Sequence, residues 1–346
     1  MRPPGYRSRS FATPSFPLIA VHSLIGPATM KSKVASGLYY AKVLLFGEYG
    51  IIEDAMGLSI PYAQFQGQFR PGPLKTEEQA SSNRHLRAFA DYLAKLSKDD
   101  LDLDLDRLNS DLDQGLHFDS NIPQGFGVGS SGALVAAVYE HYRTPDSDPL
   151  SHASELPEAD HILALKTRLG LMESFFHGKS SGMDPLICYL KIPMLIDPQR
   201  KVGQVELPQE VREGSGAIFL LNTGQPGETQ PLVAIFLERL KQDGFRRMIR
   251  QEFNRYNNEC IRAFLEGRPG ALFQNLRSLS RLVLKHFQPM IPENFQQVWQ
   301  NGIDTGVYYL KLCGSGGGGY LLGFTRDLEQ TQAMLDDYEI RVIHRF

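Results

Sequence analysis

What this sequence lacks narrows the field before any motif is considered. Only three cysteines occur in 346 residues, Cys188, Cys260 and Cys313, spaced for neither a disulfide framework nor a CxxC pair. That suits a reducing compartment and makes the cytoplasm the expected location. Neither sign of charge dominates: 36 Lys and Arg stand against 39 Asp and Glu, a formal net charge of −3. The basic footprint of a nucleic-acid binder is missing, and no nucleic-acid partner is expected. No apolar run approaches the roughly 18 residues that a membrane-spanning helix needs, so no membrane partner is expected either. With 42% hydrophobic residues and a small net charge, the composition is that of a folded chain. The length exceeds one compact core and predicts two domains of about 150 residues each.

Residues 1–29 differ from the rest, with Arg2, Arg7 and Arg9, no acidic residue, and four prolines before residue 20. Pro17 and His22 interrupt the short apolar stretch around Leu18–Val21, which argues against a secretory leader. A mitochondrial-type leader stays open, but the reading adopted is a disordered extension, or a start misassigned ahead of Met30. The charged, glycine-containing stretch Pro208–Gly216 marks a domain boundary. The division is an N-terminal domain over 30–209 and a C-terminal domain over 210–346.

The run Tyr39–Phe46, stopped by Gly47, predicts a buried strand, and a helix follows over Thr76–Leu96. Leu101–Asp106 alternates Leu with Asp and reads as a half-exposed strand or a charged loop. An EF-hand is excluded there because its glycine and glutamate positions hold Arg107 and Asp113. A strand ending at Pro123, a polar loop over Thr144–Leu156 and a helix over Glu158–Phe176 are expected. So are short strands around Ile187–Ile196 and Val202–Leu207. Beyond the boundary come a strand at Ala217–Asn222 and helices near 229–241, 245–265 and 269–287. Two strands then flank a glycine run, followed by a helix at Asp327–Tyr338 and a strand at Ile340–Ile343. This irregular interleaving predicts an α+β fold.

The turn from Pro123 through Gly125, Gly127, Gly129, Ser130, Ser131 and Gly132 leads from a strand into a helix. Glycines let backbone approach a ligand closely, and the free N–H groups of a helix start favour an anion, above all phosphate. The same glycines spell GxGxxG, so a dinucleotide site stays open, although its acidic partner about 20 residues on would fall in the loop around Asp146 and Asp148. A tight turn with no ligand is a third possibility. Gly178-Lys179-Ser180 imitates the end of a Walker A loop, which fails because Glu173 stands at the first glycine position.

Three segments taken in order, Ala41–Tyr49, the serine-glycine turn and Lys311–Gly319, resemble the three motifs of the GHMP kinase superfamily. A fourth, Glu173-Ser174-Phe175-Phe176-His177-Gly178-Lys179-Ser180-Ser181-Gly182-Met183-Asp184, is similar to the run that marks the superfamily's mevalonate kinases. The resemblance spans about residues 37–324. It implies a ribosomal protein S5 domain 2-like N-terminal domain and a ferredoxin-like C-terminal domain, with the site between them. It further implies ATP and Mg2+ as cofactors and phosphorylation of mevalonate to 5-phosphomevalonate on the route to isoprenoids. A homodimer is compatible with it.

Carried over by motif, Asp184 is the expected general base and Lys42 the cation beside it. Ser131 and Glu173 are the expected magnesium ligands, with Ser130 as the neighbouring hydroxyl. Pro123, Gly125, Gly127, Gly129, Ser130, Ser131 and Gly132 would cradle the nucleotide phosphates. Glu48, His177, Thr229, Gly316 and Gly317 fall at substrate contacts. From the residues alone, Asp184 could equally be a turn residue before Pro185, Glu173 a helix-face acid and His177 a core histidine. Lys42 sits among apolar residues, which favours a functional role over a snorkelling one. One departure bears on the acceptor: Tyr49 follows Gly47-Glu48 where many mevalonate kinases carry His. Alternatives kept open are a phosphomevalonate, homoserine or sugar kinase, a decarboxylase of the same superfamily, a nucleotide-binding regulator without turnover, and an oxidoreductase using GxGxxG.

Overall fold

The computed structural model describes residues 37–96, 101–144 and 159–346. The expectations for residues 1–29 and for most of the loop Thr144–Leu156 lie outside these. The apolar run after Leu38 forms β1, Tyr39–Phe46. It pairs antiparallel with β2, Gly57–Arg70, which carries β3, His117–Ser120, at one end and β4, Met194–Ile196, at the other. β5, Val202–Gln204, closes this sheet in the order β1-β2-β4-β5, with β3 also on β2.

Helices accompany it. α1, Glu77–Leu93, starts with a capping box in which Thr76 and Gln79 satisfy each other's backbone N–H groups. α2 is Leu105–Asp113, α3 Ser130–Tyr142, α4 Ala159–His177 and α5 Met183–Leu190. α3 and α5 pack against each other and against β1. Nine of the 13 residues of α3 and seven of the eight of α5 are buried, so their sequences are mostly apolar.

The second sheet is wholly antiparallel. β6, Ala217–Asn222, β7, Tyr308–Leu312, β8, Tyr320–Thr325, and β9, Ile340–Arg345, lie in the order β7-β8-β6-β9. Its helices are α6, Thr229–Arg239, α7, Asp243–Met248, α8, Asn254–Leu265, α9, Pro269–His286, α10, Glu293–Thr305, and α11, Leu328–Met334. A π turn, Ile249–Phe253, joins α7 to α8 without a break. The fold class is α+β, and one continuous hydrophobic cluster joins the two sheets. The expected boundary at 209/210 falls in the connection between β5 and β6.

The halves are stitched together just past β1. Asn254 Nδ2 donates to Glu53 O at 2.7 Å, Asn257 Nδ2 to Met56 O at 2.8 Å, and the Met56 N–H to Asn258 Oδ1 at 2.9 Å. The turn that ends β1 is thereby held by α8 of the other half. Among the described residues no helix is long and apolar enough to cross a membrane.

Several expectations need correction. Leu101–Asp106 is not a strand: Leu101 is buried, Leu103 makes a single bridge to Arg143, and Asp104 caps α2 by accepting from the Arg107 N–H. Only Met194–Ile196 of the stretch Ile187–Ile196 is strand, and Ile187–Leu190 belongs to α5. A short apolar run cannot by itself tell a buried helix from a buried strand. The helix expected at Asp327–Tyr338 is shorter, and β2, α2 and α10 were not anticipated at all.

Candidate active site

Lys42 points from β1 toward the first turn of α5, where its Nζ lies 2.8 Å from Asp184 Oδ2. The lysine side chain is 3% exposed and the aspartate 39%, so the pair sits at the floor of a cleft with only the carboxylate reaching solvent. Burial works against the lysine's charge, but the Asp184 carboxylate more than offsets it and the ammonium pKa lies above its ordinary value. Asp184 occupies the first turn of α5 beside a buried cation.

Glu173, near the end of α4, lies just beneath the cleft and is 4% exposed. The Ser180 hydroxyl donates to its Oε2 at 2.5 Å and the Ser131 hydroxyl to its Oε1 at 3.1 Å. Ser131 Oγ is also 2.9 Å from His177 Nε2. With the serine proton on Glu173, the histidine is the donor in that contact. Burial first, and the Asp184 carboxylate second, raise the Glu173 pKa to about 7, against downward pulls from Ser180, Lys42 and Ser131. Burial also lowers the His177 pKa, with Asp184 opposing. Lys42 pairs directly with Asp184, while Glu173 is held by the two serine hydroxyls.

The glycine turn packs directly on this centre. The Lys42 N–H donates to Val128 O at 2.9 Å, tying the turn to the strand that carries the lysine. Gly129 is the N-cap of α3 and supplies no side-chain cap, so the helix's first-turn N–H groups open onto the cleft. Gly132 allows the approach of α5: a Cβ there would stand 2.9 Å from the Asp184 carbonyl carbon and 3.0 Å from Pro185 N. Gly127, at φ +77°, lets the turn press on the second sheet's glycine run, since a Cβ would lie 2.4 Å from Cys313 O. Across the halves, the Gly227 N–H donates to Gly125 O at 2.8 Å and the Tyr320 N–H to Phe126 O at 3.3 Å.

The resulting cleft has a volume of about 1210 Å³. Pro123, Gly125, Gly127, Gly129, Ser130, Ser131, Lys42, Asp184, His177, Thr229 and Gly316 all line it. It continues past Arg70, Lys75 and His85 at the β2–α1 connection.

Two anticipated substrate contacts do not reach it. Glu48, 6% exposed, is sealed in an ion pair with Lys311, whose Nζ also donates to Leu312 O at 3.2 Å and lies 5.5 Å from the centre of the Phe46 ring. Burial raises the Glu48 pKa, with the Lys311 ammonium opposing. Gly317 instead anchors its loop, donating its N–H to Met290 O at 2.6 Å. Conversely, Ser180 and Ser315 belong to the site without having been singled out. Both stood inside motif runs already quoted, so position alone could have flagged them.

No protein-family model matches the sequence, and no curated protein matches it. Solved structures do. The L. major mevalonate kinase in complex with R-mevalonate is similar with a TM-score of 0.57 at 18% identity, over 90% of this chain and 93% of that one. The Lactococcus lactis galactokinase complexed with galactose matches with a TM-score of 0.58 at 12% identity, over 89% and 92%. The Streptococcus pneumoniae phosphomevalonate kinase matches with a TM-score of 0.53 at 15% identity, over 88% and 98%. The chain has the two-domain GHMP kinase fold of these neighbours.

Proposed function

We propose that this chain is an ATP- and Mg2+-dependent small-molecule kinase of the cytoplasm, and that its acceptor is mevalonate, phosphorylated to 5-phosphomevalonate. The observation that carries the reading is the convergence, at one cleft floor, of the Lys42–Asp184 pair, the Ser131–Glu173–Ser180 cluster and the open start of α3. Phosphoryl transfer asks for little covalent chemistry from a protein. It needs a cradle for the phosphates, neutralisation of charge and a group that takes the acceptor's proton. The start of α3 supplies the cradle and Asp184 the proton acceptor, while Lys42 steadies charge on the reacting oxygen.

The residues fit a divalent cation. The Ser131 hydroxyl and the Glu173 carboxylate are adjacent oxygen donors. Two protein donors would leave the other positions of a six-coordinate magnesium to phosphate oxygens and water. Ser131 and Glu173 would hold such an ion, which would supply positive charge to offset that of the phosphates.

Mevalonate as acceptor rests on the run from Glu173 to Asp184. A second reading, another small-molecule acceptor, is favoured by the occupation of Glu48 by Lys311, since that carboxylate makes no contact in the cleft. A coupled ADP-release assay with mevalonate, 5-phosphomevalonate, homoserine, galactose and no acceptor decides between them. Turnover with mevalonate well above the rest is expected. Turnover on another acceptor moves the substrate and keeps the chemistry. ADP release with none of them, despite ATP binding, favours a regulator without turnover.

A further inference from the structure

The second half of the chain contributes mostly backbone to the cleft: its lining residues are Thr229, Cys313 to Gly316 and Gly318. Two of these carry hydroxyls, Thr229 and Ser315, and the Ser315 hydroxyl donates to Thr229 Oγ1 at 3.2 Å. After that bond the pair still offers the threonine proton as donor and lone pairs on both oxygens. It therefore suits a small polar molecule lying against Lys42 and Asp184.

The place of Ser315 is not set by its own side chain. It stands between Gly314 at φ +67° and Gly316 at φ +77°, in a run with no side chains to pack. Besides the Gly317 bond that anchors the loop, it is held by Tyr49 from the other half of the molecule, whose hydroxyl donates to Ser315 O at 2.7 Å. The tyrosine ring is itself immobilised, with centroids 4.6 Å from Phe236 and 5.7 Å from Phe287. Phe236 lies on α6, the helix that Thr229 begins. One residue thus braces both hydroxyls, the serine through a hydrogen bond and the threonine through the helix that carries it.

We propose that Ser315 is an acceptor-binding residue acting with Thr229, and that Tyr49 is the positioning residue that sets its place. The proposal rests on the kinase reading above and deepens it at the acceptor side. It gives Tyr49, the departure noted in the sequence, a role in holding the acceptor site rather than in touching the acceptor.

The test is steady-state kinetics of full-length wild type, Ser315→Ala, Tyr49→Phe and the double variant. Mevalonate and ATP are varied separately, and melting temperature serves as the control on folding. Ser315→Ala is expected to raise the KM for mevalonate about tenfold, the size of one lost hydrogen bond, with the KM for ATP changed less than about twofold. Tyr49→Phe keeps the ring and should raise the mevalonate KM several-fold with little change in kcat. Because it acts through Ser315, the double variant should be no worse than Ser315→Ala alone.

An unchanged mevalonate KM in folded Ser315→Ala overturns the proposal and leaves the kinase reading intact. Effects that multiply in the double variant overturn the positioning role of Tyr49. If wild type turns over only another member of the acceptor panel, the same comparison is made with that acceptor. If it turns over none, the kinase reading falls and the proposal with it.

Discussion

Lys42 and Asp184 form an ion pair of unequal burial, with the ammonium enclosed by protein and the carboxylate open to the cleft. A buried cation beside an accessible carboxylate leaves that carboxylate open to meet a substrate hydroxyl. Its companion acid, Glu173, is itself buried, and burial raises its pKa. The consequences of this unequal exposure can be measured.

Asp184→Asn is expected to lower kcat by about 10² or more, the usual contribution of a general base, with ATP affinity little changed. Acceptor-dependent turnover and equilibrium binding of a nucleotide analogue measure the two effects separately. Turnover within a few-fold of wild type rejects the base assignment.

Glu173→Gln removes one of the two oxygen donors proposed for magnesium. The magnesium concentration for half-maximal activity should rise by about tenfold, in line with the loss of a ligand's charge at a weakly held ion. An unchanged magnesium titration counts against a metal site at Ser131 and Glu173.

Glu48→Gln leaves the buried Lys311 ammonium without its counter-charge. Breaking such a pair typically costs about 3–5 kcal/mol, so urea unfolding should show a large loss of stability. In the fraction that remains folded, the KM for the acceptor should stay near wild type. A large rise in that KM with stability preserved would restore Glu48 as a substrate contact.

Gly127→Ala places a Cβ 2.4 Å from Cys313 O at a positive φ. The turn must move away from the second sheet, with an expected loss of more than about 1 kcal/mol in stability and a raised KM for ATP. Melting temperature and nucleotide kinetics check both together.

His344, in β9, is buried against Phe264 and Phe346, and its Nε2 has no hydrogen-bond partner among the described residues. Burial lowers its pKa from the ordinary 6.5, with Glu210 pulling upward. The unfolded chain therefore takes up this proton first as pH falls. The stability contribution is intact above pH 6.5 and is lost as pH drops through the folded-state value. His344→Phe should flatten the fall in melting temperature between pH 6.5 and 5. An unchanged slope assigns that fall to other groups.

The chemistry was legible in the sequence because its carriers lie in short runs whose local geometry follows from residue type. Gly125–Gly132 between apolar segments makes a strand, a turn and a helix start, and Glu173 to Asp184 joins the end of α4 to the start of α5. α10 was overlooked although Phe295, Trp299, Gly302 and Ile303 recur on one helical face, because the Gln- and Asn-rich remainder hides the period. β2 was missed for a different reason. Pro61 and two glycines argue against a strand, yet Pro61 pairs with Lys42 at a point where β2 has no strand on its other side, between the stretches that meet β3 and β4.

By itself, then, the sequence determined the α+β class and a glycine turn that opens a helix, and it singled out Lys42, Asp184, Glu173 and Ser131 as candidates from their neighbouring residues and helix starts. Only the tertiary structure decided that Glu48 is sealed against Lys311 rather than turned to substrate, and that Tyr49 holds Ser315. Those partners lie more than two hundred residues apart in the chain. Whether a buried carboxylate meets a cation or a ligand depends on which strand closes over it, and no local pattern encodes that.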